Sequence, residues 1–254
     1  MRLAIDIGNT NIVFGIRKQE NWKNIWRIRT DKLKTADEYE VIFRSLFESG
    51  GVEPEKISKV IISSVVPSLN DDFKELISRL LSVVPLFVVP ETYSKLPIKI
   101  LNPYQIGTDL VANAMAAFVK YDKPCMVIDF GTALTFLTLA ENGEILGVAI
   151  APGMGTAVTA LAGNTSQLPH VQLSMPPSVL GLNTVNAIQA GVVYGYLGLV
   201  SRIIEQTEAE LNKELHVIAT GGLSGIFREE KTKIDHFEAN LTLDGLIAIA
   251  EYVD

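Results

Sequence analysis

Two stretches of the chain place an aspartate at the end of an apolar run, followed by one apolar residue, a glycine and small polar residues. They are Asp6-Ile7-Gly8-Asn9-Thr10-Asn11 and Asp129-Phe130-Gly131-Thr132. A carboxylate so placed can hold Mg²⁺ directly or through water, while the N–H groups of the turn and the hydroxyl of Thr10 or Thr132 contact phosphate oxygens. Glycine at 8 and 131 lets the backbone approach a ligand closely. One copy alone is compatible with an ordinary Asp-Gly turn. Two copies separated by close to half of a 254-residue chain point to a pair of phosphate loops. A third segment, Thr220-Gly221-Gly222-Leu223-Ser224, reads as a turn after a strand and suits an adenosine or ribose packed on backbone. Asp109, after Gly107 and Thr108, opens a helical pattern through Val111, Ala114 and Phe118. By itself it reads as an acid at a helix start that complements the helix dipole.

The elements that must position these residues also repeat. Each Asp-x-Gly turn joins two β-rich runs, Leu3–Ile7 to Ile12–Ile16 and Val127–Phe130 to Ala133–Leu139. A third strand is expected at Asn24–Thr30 in the first half. Asn142-Gly143 predicts a hairpin leading to Ile145–Ile150 in the second. Each half therefore opens on a three-stranded antiparallel meander. Thr35-Ala36-Asp37-Glu38 is a capping box for a helix ending at Gly50-Gly51. Lys59–Val66 reads as a strand covered on both faces, Asn70–Leu81 as a helix and Leu86–Val89 as a short strand. In the second half, Asn183–Asn212 predicts a long helix, His216–Thr220 a strand and Leu243–Tyr252 a closing helix.

The composition, 48% hydrophobic and 20% charged, is that of a folded α/β protein with enough chain for two lobes. A net charge of -7 argues against work that consists of neutralising nucleic-acid phosphates, so no direct nucleic-acid partner is expected. The single Cys125 excludes an intrachain disulfide and reads as a buried, inert thiol. His170, His216 and His236 lack metal-ligand spacing. Trp22 and Trp26 alternate in a strand and are expected to pack a sheet face or a subunit contact. Asp6 interrupts the N-terminal run before a signal-peptide core can form. The apolar stretch near Leu80–Pro90 is too short to cross a bilayer. The cytoplasm is the expected compartment, with no membrane partner.

The three nucleotide segments resemble the superfamily of actin, the Hsp70 chaperones and the sugar kinases. Eight ordered segments narrow the resemblance to the type III pantothenate kinases: Asp6–Asn11, Ile62–Pro67, Gly107–Asp109, Asp129–Ala133, Ala151–Gly153, Gln167–Pro169, Asn183–Thr184 and Thr220–Leu223. The resemblance implies duplicated actin-like, ribonuclease-H-like lobes, 1–118 and 119–254. Each lobe would carry a mixed sheet with its meander, and a nucleotide cleft would lie between them. It implies ATP-dependent phosphorylation of pantothenate, with Asp109 as general base and Asp6 on Mg²⁺. Ile7, Gly8, Asn9, Thr10, Asn11, Thr132, Gly221 and Gly222 would bind the nucleotide. Asp129 would bind a monovalent cation, K⁺ or NH₄⁺, and Gly107, Thr108 and Thr184 would face the acceptor. A homodimer is also implied.

The chain departs from the family at Leu110, where an arginine is usual, at Ile100, where a tyrosine is common, at Leu146, often a glycine, and at Thr108, where the family's Gly-Ala-Asp-Arg has an alanine. The first two remove polar handles for an anionic acceptor. A kinase for another hydroxyl acceptor, or a non-catalytic nucleotide-binding regulator, are therefore the alternatives.

Overall fold

A computed structural model describes residues 1–230 and 232–253, which divide into two compact units. The first begins with the expected meander, β1 (Arg2–Ile7), β2 (Asn11–Lys18) and β3 (Asn21–Arg29). Helix α1 (Ala36–Ser49) follows the predicted capping box, in which Thr35 and Glu38 bond each other's backbone N–H groups. Strand β4 (Lys59–Ser64), helix α2 (Asn70–Leu81), the two-residue β5 (Leu86–Phe87), the single turn α3 (Pro90–Tyr93) and helix α4 (Thr108–Lys120) complete this stretch.

The sheet order is β3-β2-β1-β4-β5. β1 pairs antiparallel with β2 and parallel with β4, in a register that sets Asp6 opposite both Val13 and Ser63. Val60, Ile61, Ile62 and Ser63 are all buried, as expected of an inner parallel strand. On α2 the buried residues Phe73, Leu76, Ile77, Leu80 and Leu81 follow helical spacing and form one apolar stripe. Phe14 stacks on Phe43 at 4.1 Å between centroids, with Trp26 at 5.3 Å from Phe14 and 5.7 Å from Phe47. Trp26 therefore packs a sheet face. Trp22 instead donates its indole N–H to Asp244 at 2.8 Å, beside Arg17.

The second unit repeats the plan. Strands β6 (Cys125–Phe130), β7 (Ala133–Leu139) and β8 (Ile145–Pro152) form its meander, with Gly143 at φ 81° in the predicted hairpin. Helix α5 (Met154–Gly163), the 28-residue α6 (Thr184–Leu211), β9 (His216–Thr220) and β10 (His236–Phe237) follow. The sheet order β10-β9-β6-β7-β8 matches that of the first, and β6, β9 and β10 run parallel. Helix α6 runs between the caps Asn183 and Asn212, as predicted. It is long and apolar enough to cross a membrane by length and composition, and its Val193, Val200 and Ile204 lie in the core of this unit.

The last helix, α7 (Leu241–Val253), was expected within a lobe spanning 119–254, but it packs in the first unit, beside α4 and against β1 and β4. The cause is steric fit. Gly245 sits so close to the Ala112 backbone that a β-carbon would lie 1.8 Å from the Ala112 carbonyl oxygen. Thr242 adds a hydrogen bond to the buried Asn113 at 2.8 Å.

Candidate functional site

In the first unit the C-terminal ends of the parallel strands β1 and β4 meet the start of α4. The turn after Asp6 is closed by Gly8 N–H to the Asn11 carbonyl at 3.0 Å. Thr30 clamps it from β3's end, donating its hydroxyl to the Gly8 carbonyl at 2.6 Å and its N–H to the Thr10 carbonyl at 3.0 Å. With those carbonyls occupied from one side, Asn9 and Thr10 stay exposed and their loop is held in one shape. Sequence reasoning missed Thr30, which no local motif marks.

Helix α4 is fastened to β4 through Thr108. Its Oγ1 lies 2.9 Å from the buried Ser63 hydroxyl, accepts the Ser64 N–H at 3.1 Å and donates to the Ser64 carbonyl at 3.2 Å. The side chain is thus spent on the protein, and any acceptor contact at 107–108 falls to the backbone. Asp109 turns back across the helix start and accepts the Leu110 N–H at 2.8 Å. Gly107 makes room for it. Burial pushes the Asp109 carboxyl above the usual aspartate range, against the opposing pull of the Leu110 N–H and its own. Tyr93 is buried nearby, and burial together with the Asp109 charge pushes its phenol up to about 12. A desolvated carboxylate at a helix start, one hydrogen-bonded step from the strand that flanks Asp6, can act as a proton acceptor.

In the second unit, Asp129 lies in register with Thr135 and Thr220 on the neighbouring strands. The turn is one residue tighter than in the first copy, with Gly131 N–H to the Ala133 carbonyl at 3.1 Å. Its clamp comes from the start of α5: Gly153 N–H and the Thr156 hydroxyl reach the Thr132 carbonyl at 3.0 and 2.7 Å. A β-carbon at 153 would lie 2.2 Å from the Gly131 carbonyl, so only glycine fits. Thr156 was not foreseen. Gly221, at φ 90°, closes over the aspartate; a β-carbon there would lie 2.5 Å from Asp129 Oδ1. The turn through Gly222 is held by Ser224, whose hydroxyl donates to the Gly221 carbonyl at 2.8 Å. Thr184 stands apart from these loops in its surroundings. It is exposed at the first turn of α6 and lines, with Asn183, Leu161, Leu168 and Ile188, an apolar cleft of about 570 Å³.

Within each unit, then, the predicted loop residues converge: Asp6, 8–11 and 107–109 in one, Asp129, Thr132 and 221–222 in the other. Among the described residues no group of three or more His, Cys, Asp or Glu could hold a metal by itself. His216 and His236, which look scattered in sequence, lie 4.8 Å apart between ring centroids, with Tyr121 against both. The parallel pairing of β9 and β10 brings them together, and His216 faces Asp235 at 3.3 Å. Of the departures from the family pattern, Leu110 is buried, Ile100 half-buried and Leu146 exposed on β8.

A family model for type III pantothenate kinase matches residues 2–206. Type III pantothenate kinases of Moorella thermoacetica and Anaeromyxobacter dehalogenans are each 43% identical over 251 residues, covering 99% of both chains. Among solved structures, a protein described as a candidate 2-dehydro-3-deoxygalactonokinase from Sinorhizobium meliloti aligns with a TM-score of 0.62 at 13% identity, over 99% of this chain and 96% of that one. That likeness concerns the fold, the duplicated α/β plan expected from the repeated turns. With a family match across 2–206 and full-length relatives at this identity, the chain belongs to the type III pantothenate kinase family.

Proposed function

We propose that this chain transfers the γ-phosphoryl group of ATP to the primary hydroxyl of pantothenate, giving 4'-phosphopantothenate, the first step of coenzyme A biosynthesis. The observation that carries the reading is the full-length likeness to type III pantothenate kinases, 43% identity across 99% of both chains. The local geometry supports the roles. Asp109, desolvated and anchored at the start of α4, is the general base that takes the hydroxyl proton as the phosphoryl group transfers. Asp6, Ile7, Gly8, Asn9, Thr10 and Asn11 form one phosphate loop. Thr132, Gly221 and Gly222 contribute the second set of nucleotide contacts.

Mg²⁺ and a monovalent cation, K⁺ or NH₄⁺, supply charge neutralisation for the phosphates when bound. The residues fit such ions. Mg²⁺ in phosphoryl-transfer sites is held through one or two carboxylates plus waters and phosphates rather than by an all-protein cage. Asp6 supplies one such carboxylate, near the end of β1 and in register with Ser63 on β4. At Asp129, Gly221 brings its backbone against the carboxylate, so closely that a β-carbon would lie 2.5 Å from Oδ1.

Gly107, the backbone of Thr108 and Thr184 face the acceptor in this reading. The protein works in the cytoplasm as a homodimer, without membrane or direct nucleic-acid partners. The exposed apolar side chains Leu161, Leu180, Leu182 and Val185, on and beside α5 and α6, support a subunit contact. A second reading, a different hydroxyl acceptor, draws on Leu110. It is buried next to Asp109 and offers no cation to a carboxylate substrate.

The test is ADP release from Mg-ATP with K⁺ or NH₄⁺, with and without pantothenate, using Asp109→Asn as the blank. Pantothenate-dependent release that Asp109→Asn abolishes supports the first reading. Release only with another alcohol supports the second.

A further inference from the structure

The hydroxyl of Thr108 has no hydrogen-bonding capacity left. A threonine hydroxyl offers one proton and two lone pairs. Here it accepts the Ser64 N–H, donates to the Ser64 carbonyl and shares its remaining lone pair with the Ser63 hydroxyl. A threonine at a helix start ordinarily bonds forward, to an N–H two or three residues on in its own helix. Thr108 instead bonds across to residues 44 and 45 positions earlier, so its hydrogen bonds fix tertiary placement rather than cap the helix. Ser63, its partner, is fully buried and sits in register with Asp6 on the adjacent strand. The next residue along the chain is Asp109.

We infer that Thr108 is a positioning residue: its hydroxyl pins the first turn of α4 to the end of β4, setting the Asp109 carboxylate relative to the Asp6 strand, without touching the acceptor itself. This rests on the reading of Asp109 as general base. The β-branch of threonine restricts χ1 and adds stiffness to the clamp. Ser63 and Thr108 form a two-hydroxyl bridge between the nucleotide carboxylate's neighbouring strand and the base.

The experiment compares wild type, Thr108→Val, Thr108→Ser, Ser63→Ala and Asp109→Asn as full-length proteins, in steady-state ADP release with pantothenate varied at saturating Mg-ATP. Valine keeps the shape and deletes the hydroxyl. It should lower kcat by roughly 30- to 100-fold, the size expected when a reacting group is misplaced by about an ångström. The KM for pantothenate should stay within about threefold, because no acceptor contact is lost. Thr108→Ser, which restores the hydroxyl, should recover kcat to within about fivefold of wild type. Ser63→Ala, which removes one of the three bonds, should lower kcat by a smaller factor, and it decides the matter should the valine variant fail to fold.

A raised KM with unchanged kcat in Thr108→Val would overturn the inference, since it would mean the hydroxyl binds the acceptor. Wild-type kinetics in Thr108→Val, or in Ser63→Ala, would overturn it as well. If Asp109→Asn is inactive while these variants are unaffected, the positioning role alone falls. Full activity in Asp109→Asn removes the base and the positioning role together.

Discussion

A β-carbon on Gly107 would lie 2.3 Å from Oδ1 of Asp109, closer than a non-bonded carbon and oxygen tolerate. The glycine is therefore the space into which the carboxylate folds back towards the Leu110 N–H. Because the clash is with the end of a side chain, Gly107→Ala should move the carboxylate rather than the backbone. We expect kcat to fall on the order of 100-fold with a melting temperature within a few degrees of wild type. Parallel kinetics and thermal melts check it, and a large loss of stability would show that the backbone had moved instead.

Asp109 should cost stability when ionised. Burial raises its carboxyl above the value in the unfolded chain, about 3.9, so the unfolded state gives up its proton first. Stability is then lost as pH rises from that value through the raised native one, and the deficit persists above it. Asp109→Asn should be inactive yet melt higher than wild type at pH 7, with the difference shrinking below about pH 4. Equal melting temperatures at pH 7 would argue against a desolvated carboxylate. In the wild type, the acidic limb of kcat should fall at a pH above the ordinary aspartate range.

The crossing of α4 and α7 leaves no room for a side chain at Gly245, where a β-carbon would meet the Ala112 carbonyl carbon at 2.5 Å as well as its oxygen. Both obstacles are backbone, so the helices must separate. Gly245→Ala is expected to lose about 3 kcal/mol, the upper end for overpacking. Denaturant titration measures this, and a loss under about 0.5 kcal/mol, the scatter of ordinary surface changes, would contradict the packing.

Cys125 is fully buried and its thiol is pushed up to about 12 by burial. As the chain's only cysteine, it gives a clean signal. A thiol reagent at pH 8 should leave the native protein unmodified and label one equivalent once denaturant is added. Rapid labelling of native protein would show that β6 opens locally.

Local patterns carried most of the elements. The Asp-x-Gly turns, the Thr35–Glu38 box and the Asn142-Gly143 hairpin each act within a few residues, so their signals are written in contiguous sequence. The contacts that shape the site are different in kind. Thr30 on Gly8, Thr156 on Thr132, Thr108 on Ser63 and Ser64, and Gly245 on Ala112 each join distant segments through one small residue. A lone threonine or glycine has many local uses, and nothing near it in sequence marks its partner. The two histidines looked unrelated for the same reason: their proximity comes from strand pairing, not spacing.

The return of α7 to the first unit makes the chain's two ends neighbours, with Arg2 on β1 paired to Glu251 and Lys59 on β4 reaching the Ala250 carbonyl. The second unit is in effect a loop insertion, leaving the first body after α4 and re-entering it beside the same helix. During synthesis the first sheet must wait for its final helix until the whole second unit has emerged, so the later-made body can complete its fold first. A circular permutant that joins the ends and opens the chain between the two units would turn the insertion into an ordinary tandem pair, and would no longer impose that wait.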